Sequence, residues 1–388
     1  MDKNKFDIII AGAGLAGLSL AYRLSLEPYF SDKKILLIDK DNKTQNDRTW
    51  CFWGEPPKHF ESIISHSWSQ ISFISDSYSN SFDLSPAAYY QVRGADFYRF
   101  IKEEIAKHKN IQWLKAEINK VEEVGERVIV STTSGNYQTD LLFDSRFDED
   151  WVKEQTKNYL LLLQHFRGWV IKTDEPVFEV ANARMFDFRI PQNNEVRFVY
   201  VLPYSETEAL VEFTIFSKSL LKNEEYDQAL KSYVAEYLGL ESYEVVEEEN
   251  GVIPMSDYPF AKAESKRWIN IGTRAGMCKP SSGYAFKRVQ ADTEELVALL
   301  LAGKDLQKHR KSYGRFLLYD AMMLDIMARS GGNIKGIFTD LFSSNPIHKV
   351  LGFLDEQTSF GEEVKIMSSV PHLPFFVSAL RLAKRKVF

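Results

Sequence analysis

Residues 6–11 form an apolar run broken only by Asp7, and it ends in Gly12-Ala13-Gly14-Leu15-Ala16-Gly17, after which apolar positions continue at helical spacing through Ala21. A second apolar run, Ile35-Leu36-Leu37-Ile38, ends in Asp39. The pattern predicts a strand, a glycine-cornered turn, a helix and a second strand. Gly12 permits the tight turn, Gly14 lets backbone amides approach a pyrophosphate, and Gly17 lets the helix pack on the strand. Asp39 falls where a ribose hydroxyl would lie. Because strand, helix and acid agree, an adenine dinucleotide site is expected here rather than a glycine-rich turn without a ligand.

Downstream the patterning changes. Residues 57–90 alternate as strands do, with Ile71, Phe73, Phe82 and Leu84 among serines, and Tyr90 to Phe97 are expected to open a helix reaching about Lys107. From 111 to 143 short strands are broken at Gly125 and Gly135. Segments 159–164, 168–172, 184–190, 196–202 and 209–216 then read as strands in series, which argues for an antiparallel sheet inserted into the nucleotide-binding unit. A helix over 226–238, a short strand over 268–272 and a long helix over 284–301 follow. The expected division is a discontinuous dinucleotide-binding domain (1–56, 86–147, 251–325), a substrate domain (57–85, 148–250) and a helical C-terminal region (326–388). The fold class is α/β, or α+β overall, with a Rossmann-type domain.

Composition narrows the function classes. A chain of 388 residues with 44% hydrophobic residues is long enough for two or more units with sizeable cores. A net charge of −6 gives no electrostatic reason to expect a nucleic-acid partner. Cys51 and Cys278 fit neither a disulfide framework nor a metal cage, so a reducing compartment and no metal are expected. The apolar run near Lys3 and Lys5 reads as the first strand rather than a signal peptide, and no segment approaches the length needed to cross a bilayer. The expectation is a chain that is soluble or lies on a membrane surface. Aromatic residues, 13% of the chain with 27 Phe and 18 Tyr, suit either a Phe-rich core or a long apolar cavity.

A second signature runs from Gly272 to Lys287 and places a loop with Pro280 and Gly283 ahead of a helix start, where amides and helix dipole favour a phosphate or an anionic ring. Its spacing resembles the second flavin-binding motif of the para-hydroxybenzoate hydroxylase type, with Thr273 where those enzymes carry an aspartate and with Asp292 keeping the spacing. Arg93 falls where that family places an arginine beside the flavin diphosphate. Asp47-Arg48-Thr49-Trp50, Asp187-Phe188-Arg189, Leu202-Pro203-Tyr204-Ser205 leading to Val211-Glu212-Phe213-Thr214, Gly251-Val252-Ile253-Pro254-Met255, and Lys279 through Arg288 occur in order. As a set they resemble the bacterial lycopene beta-cyclases across residues 6 to about 300. Relatives often have Asn-His where this chain has Asp47-Arg48, and a glycine where it has Phe147.

The resemblance implies redox-neutral closure of the psi ends of lycopene to beta rings, giving beta-carotene, with reduced FAD bound and NADPH or NADH as transient reductant. Lycopene and other psi-end carotenoids would be the partners. Implied cofactor contacts are Gly12, Gly14, Gly17, Asp39, Arg48, Trp50, Arg93, Gly272, Pro280 and Gly283. Ring closure begins by protonating an alkene, so the site needs a neutral acid, and a carboxyl stays protonated near neutral pH only if buried. Glu212 alternates with Val211 and Phe213. From pattern alone it reads as a solvated residue, whereas the family places its essential carboxylate in this Glu-x-Thr setting. Asp187 is a candidate supporting carboxylate, or one half of a surface ion pair with Arg189.

A substrate dissolved in membrane implies a cytoplasmic enzyme peripheral to the inner face of the cell membrane. Two stretches suit such contact: Ile334, Ile337, Phe338, Leu341 and Phe342 at helical spacing, and Pro374-Phe375-Phe376 ahead of the basic run Arg381 to Lys386. Ordinary packing of either is equally compatible with the pattern. The competing readings are a flavin monooxygenase, a prenyl-chain reductase, and a carotenoid-binding scaffold without turnover.

Overall fold

The computed structural model describes residues 4–56, 58–147, 149–310 and 313–387. Strands Lys5–Ala11 and Ile35–Asp39 pair in parallel, and Ile111–Lys115 and Gly135–Asp144 extend the sheet in parallel on either side. Arg127–Thr132, Ile118–Val124 and Trp268–Asn270 complete seven strands. Helices Leu15–Leu26 and Phe286–Leu301 pack against one another and share a core with Ile8, Ile10 and Phe143. The packing explains Gly17, where a Cβ would sit 1.9 Å from the Gly12 carbonyl oxygen. Gly12 has φ +96°, which a side chain would disfavour.

The second sheet also has seven strands, in the spatial order Glu244–Ser256, Leu161–Lys172, Glu208–Ser217, Val196–Pro203, Asn182–Asp187, Gln70–Ile74, Ser79–Asp83. All neighbours are antiparallel except Asn182–Asp187 with Gln70–Ile74. One face carries Val211, Phe213 and Ile215 against helix Asn223–Tyr237. The opposite face meets the C-terminal helices through Phe186, Phe188 and Phe198. A small sheet of Thr49–Gly54, Ala88–Arg93 and Ile64–Trp68 comes from the segment between Asp39 and Ile111, interleaved with the two outer strands of the second sheet.

Several local expectations change. Tyr90 does not open a helix: Ala88–Arg93 is a strand, and the helix is Gly94–Ile105, because Gly94 packs on the backbone of Arg48 where a Cβ would sit 2.7 Å from its carbonyl oxygen. Segments 159–164 and 168–172 merge into one strand through Gly168. The strand Glu244–Ser256 was not expected, and residues 251–256 belong to it and to the second sheet rather than to the nucleotide-binding part. Its acidic run hides the period-2 pattern.

Helix Ile334–Ser344 is no surface element. Ile334, Ile337, Leu341 and Phe342 are buried, and Phe342 stacks on Phe73 with ring centroids 4.6 Å apart. By contrast helix His372–Val387 leaves Leu373 and Phe376 73% and 62% exposed. No single helix among the described residues is long and apolar enough to cross a membrane.

Candidate functional site

A cavity of about 950 Å³ runs from the first glycine turn to the centre of the second sheet. At one end Gly12, Gly14, Asp39, Arg48 and Trp50 line it. Asp39 accepts a hydrogen bond from the Ala13 amide at 2.6 Å, so the acid at the end of the second strand fixes the turn that it flanks. A Cβ on Gly14 would meet nothing within 4 Å, leaving the amides open to the cavity. Gly272 lines it beside the first turn, where a Cβ would sit 2.8 Å from that of Ala16, and Gly283 lines it as well. Gly283 has φ +72°, and a Cβ there would fall 1.9 Å from Gln164 Oε1. That oxygen is buried and has no hydrogen-bond partner among the described residues, as is also true of Ser282 Oγ. A flat ligand with an N–H edge fits the space, since orphaned buried acceptors are costly unless a ligand satisfies them.

The other predicted contacts are placed differently. Gly17 lies behind the turn as a packing residue, and Pro280 is buried without lining the cavity. Arg93 is also absent from the lining. Its guanidinium is held by Glu247 at 2.8 Å, across an edge of the second sheet. Trp50 packs edge-on against Phe97, 5.3 Å between centroids.

At its far end the cavity reaches Glu212. One row across the second sheet runs Glu249, Gly168, Glu212, Tyr200, each paired with the next. Paired residues project to the same face, and Gly168 has no side chain, so the two carboxyls meet above it. They lie within hydrogen-bonding contact of one another. Thr214 donates to Glu212 Oε1 at 2.7 Å and Thr49 to Glu249 Oε2 at 2.7 Å. Two carboxylates only accept, so their contact needs one proton between them.

Burial, then the charge and hydrogen bond of Glu249, raises Glu212 well above the ordinary glutamate range. The part of Glu212 that is not covered faces the cavity rather than bulk water, so desolvation outweighs its apparent exposure. Burial also raises Glu249, but the hydrogen bonds from Glu212 and Thr49 and the charge of Arg93 pull the other way. Glu212 is therefore the protonated member and Glu249 the carboxylate. Cys51 lines the same end and is pushed up by burial, which keeps its thiol neutral.

Beyond Glu212 lies a second, apolar cavity of about 100 Å³ between the second sheet and the C-terminal helices. Phe186, Phe198, Met323, Met327 and Phe338 are among its walls. Tyr200, Ser282 and Tyr284 line both cavities, so they form the junction. The Tyr284 hydroxyl lies 3.3 Å from that of Tyr89 and 3.5 Å from that of Tyr200. Burial raises all three phenols, which stay neutral.

Asp187 is not brought to either cavity. It is buried on the helix side, where Arg189 binds it at 2.5 and 2.9 Å and Tyr233 donates at 2.7 Å. Burial alone would raise it, and these donors hold it below the ordinary aspartate value. The ion pair is thus internal at its acid end rather than a surface pair. Sequence reasoning missed Glu249, Gln164 and the tyrosines of the junction. The available signal was Gly168, since a glycine inside a strand pattern marks a close approach. Among the described residues no group of His, Cys, Asp and Glu is arranged to hold a metal ion.

The chain is similar to a lycopene beta-cyclase of Pantoea ananas, 24% identical over 311 residues that span 76% of this chain and 74% of that one. In fold it resembles a geranylgeranyl bacteriochlorophyll reductase-like protein of Thermoplasma acidophilum, with TM-score 0.59, 11% identity and 98% and 99% of the two chains covered. It also resembles halogenase PltM in complex with phloroglucinol and FAD, with TM-score 0.57, 11% identity and 93% and 85% covered. The α/β architecture is thus that of FAD-dependent flavoproteins. A family model described as lycopene cyclase protein matches residues 7–380, and this chain belongs to that family.

Proposed function

We propose that the chain closes the psi ends of lycopene into beta rings, with Glu212 as the acid that starts the reaction. The observation that carries this reading is the contact of the Glu212 and Glu249 carboxyls at the end of a dinucleotide-sized cavity, beside Tyr200 and Tyr284, which join that cavity to an apolar one. The Glu212 proton passes to the terminal double bond, the tertiary cation so formed is attacked by the neighbouring double bond, and a proton is lost from the new ring. Tyr200, Tyr284 and Tyr89 turn aromatic groups toward this region, and aromatic faces stabilise cations. The apolar cavity is narrow for a long polyene, and Met322, Met323, Met327 and Met367 in its wall are the unbranched side chains that yield to such a ligand.

Gly12, Gly14, Asp39, Arg48, Trp50, Gly272 and Gly283 would hold FAD, with Gln164 accepting from the N–H edge of its ring. In its reduced, anionic form, with NADPH or NADH as electron source, the bound cofactor would supply negative charge that lowers the energy of the developing cation. Leu373, Phe376 and Leu380 follow one another on helix His372–Val387, with Arg381 and Lys384 beyond them and Phe375 of the same helix lining the apolar cavity. This helix would rest on the inner face of the cell membrane and admit the carotenoid from it.

The test is anaerobic incubation with FAD, NADPH and lycopene in liposomes, with products separated by chromatography. Beta-carotene from the parent, and a rate at least about 100-fold lower from Glu212→Gln, is the expected result. An oxygenated product on admitting air, or a saturated one formed with stoichiometric NADPH consumption, would sink the cyclase reading.

A further inference from the structure

Glu249 takes no part in the steps carried by Glu212, yet it is the group that Glu212 touches. Its strand, Glu244–Ser256, is an edge strand of the second sheet, whereas the strand of Glu212 is interior. Glu249 Oε2 is bound by Thr49, and Oε1 is buried with no donor among the described residues apart from a proton held on Glu212. Among the described residues the charged and titratable groups facing the pair are Glu247 and Arg93, themselves paired and 39% exposed, and the neutral thiol and phenols of Cys51, Tyr200, Tyr204 and Tyr284. An acid that gives up its proton deep in an apolar site must be recharged without opening that site to water. Glu212, Glu249 and Thr49 form a hydrogen-bonded row along the wall of the large cavity, and Thr49 pairs in register with Arg93, whose ion pair with Glu247 meets solvent.

We infer that Glu249 is the positioning and proton-exchanging partner of Glu212. The pair carries one proton at rest and none after donation. It regains one either from the new ring or from solvent by way of Thr49 and Glu249. Atoms balance over the cycle: one proton enters the substrate at the terminal double bond, one leaves the ring, and no electron is transferred. The inference rests on the reading of Glu212 as the acid, and it adds that the proton is exchanged with solvent between turnovers.

The test uses the full-length, flavin-loaded protein with lycopene in liposomes made up in deuterated water. The parent is expected to place one deuterium in each new ring over many turnovers. Glu249→Gln keeps shape and hydrogen bonding but cannot ionise. It should recycle the substrate's own proton, so that label falls well below one per ring while kcat falls about tenfold. Its rate should also decline at a pH lower by about one unit, because Glu212 loses the neighbouring charge that helps hold its proton. Glu249→Asp should restore labelling and the pH limb; if the variant with Gln is too slow to profile, Glu249→Asp is compared with the parent alone. Bound-flavin absorbance verifies that each variant is folded. Parent-like labelling and pH limb in Glu249→Gln overturn the inference, as does a Glu249→Asp variant as defective as Glu249→Gln. If the parent forms no rings, the cyclase reading fails; if Glu212→Gln forms them normally, the acid role of Glu212 fails; the inference falls in either case.

Discussion

Glu212→Gln should change the pH dependence of folding, and the effect needs no substrate to detect. In the native state Glu212 holds a proton at neutral pH because it is desolvated. In the unfolded chain it ionises near its ordinary value of about 4.3. The native state then binds more protons than the unfolded one, so this group's contribution is fully present below the unfolded value and is lost as pH rises through the folded value. The slope is about 1.4 kcal/mol per pH unit, or about 2.7 kcal/mol between pH 5 and pH 7. A glutamine has no proton to lose. Its amide still donates to Glu249, which stays ionised in both proteins. The stability of Glu212→Gln relative to the parent should therefore rise by about 2.7 kcal/mol across that interval, or about 3 °C in Tm for a chain of this size. Scanning calorimetry of both proteins at pH 5, 6 and 7 measures it. Parallel curves would refute the claim that Glu212 is held neutral, and with it the acid role.

Gly168→Ala places a Cβ 2.9 Å from Leu210 Cδ1 and 3.0 Å from Glu249 Cγ, wedging the carboxyls apart. It should cost about 1–3 kcal/mol in calorimetry yet lower the initial cyclisation rate by more than the loss of folded protein explains; a parent-like rate would count against the contact. Asp187→Asn leaves Arg189 and Arg184 without their carboxylate, and since both guanidiniums still reach solvent the cost should be near the low end for a broken buried pair, about 3 kcal/mol in urea unfolding. Asp187 is held low, so its contribution is present above its unfolded value and lost as pH falls through the folded one; the variant should lose less stability than the parent on acidification below about pH 4. Leu373→Asp combined with Phe376→Asp removes two exposed apolar side chains and should reduce flotation with anionic vesicles about a hundredfold while sparing turnover in detergent; unchanged flotation would place the membrane face elsewhere.

The dinucleotide end was legible because its constraints are local: within one strand-turn-helix-strand unit Gly12 makes the turn, Gly17 packs the helix on it, and Asp39 holds the Ala13 amide of the same turn. The middle strands were legible for the same reason, each carrying its own apolar period. The acid site was not, because it is assembled across strands. Nothing local to Glu249, in the run Glu247-Glu248-Glu249, distinguishes it from a solvated residue; only pairing with Gly168 brings it against Glu212. Glu212 looked like a surface residue because period-2 alternation cannot say which face of a sheet meets a cavity. Ile334 to Phe342 carry an apolar stripe that suits a lipid surface as well as a core, and contact with Phe73, far back in the chain, decides for the core. Asp187 and Arg189 read as a surface pair for the converse reason, since Tyr233 closes over the acid from a separate helix.

The parallel pairing of Gln70–Ile74 with Asn182–Asp187 also sets an order of events on the ribosome. By the time Asp144 has emerged, six strands of the nucleotide sheet can form, whereas Gln70–Ile74 waits about a hundred residues from its own emergence for its partner, or about 5–20 s at ordinary rates of synthesis. During that interval Ile71 and Phe73, later buried, have the hairpin with Ser79–Asp83 and the nearby Trp68, Leu84 and Tyr89 to shelter them, but not Phe186, Phe188 or Phe342. The nascent chain is thus most vulnerable to aggregation, and in greatest need of a chaperone, while its cofactor half is already taking shape.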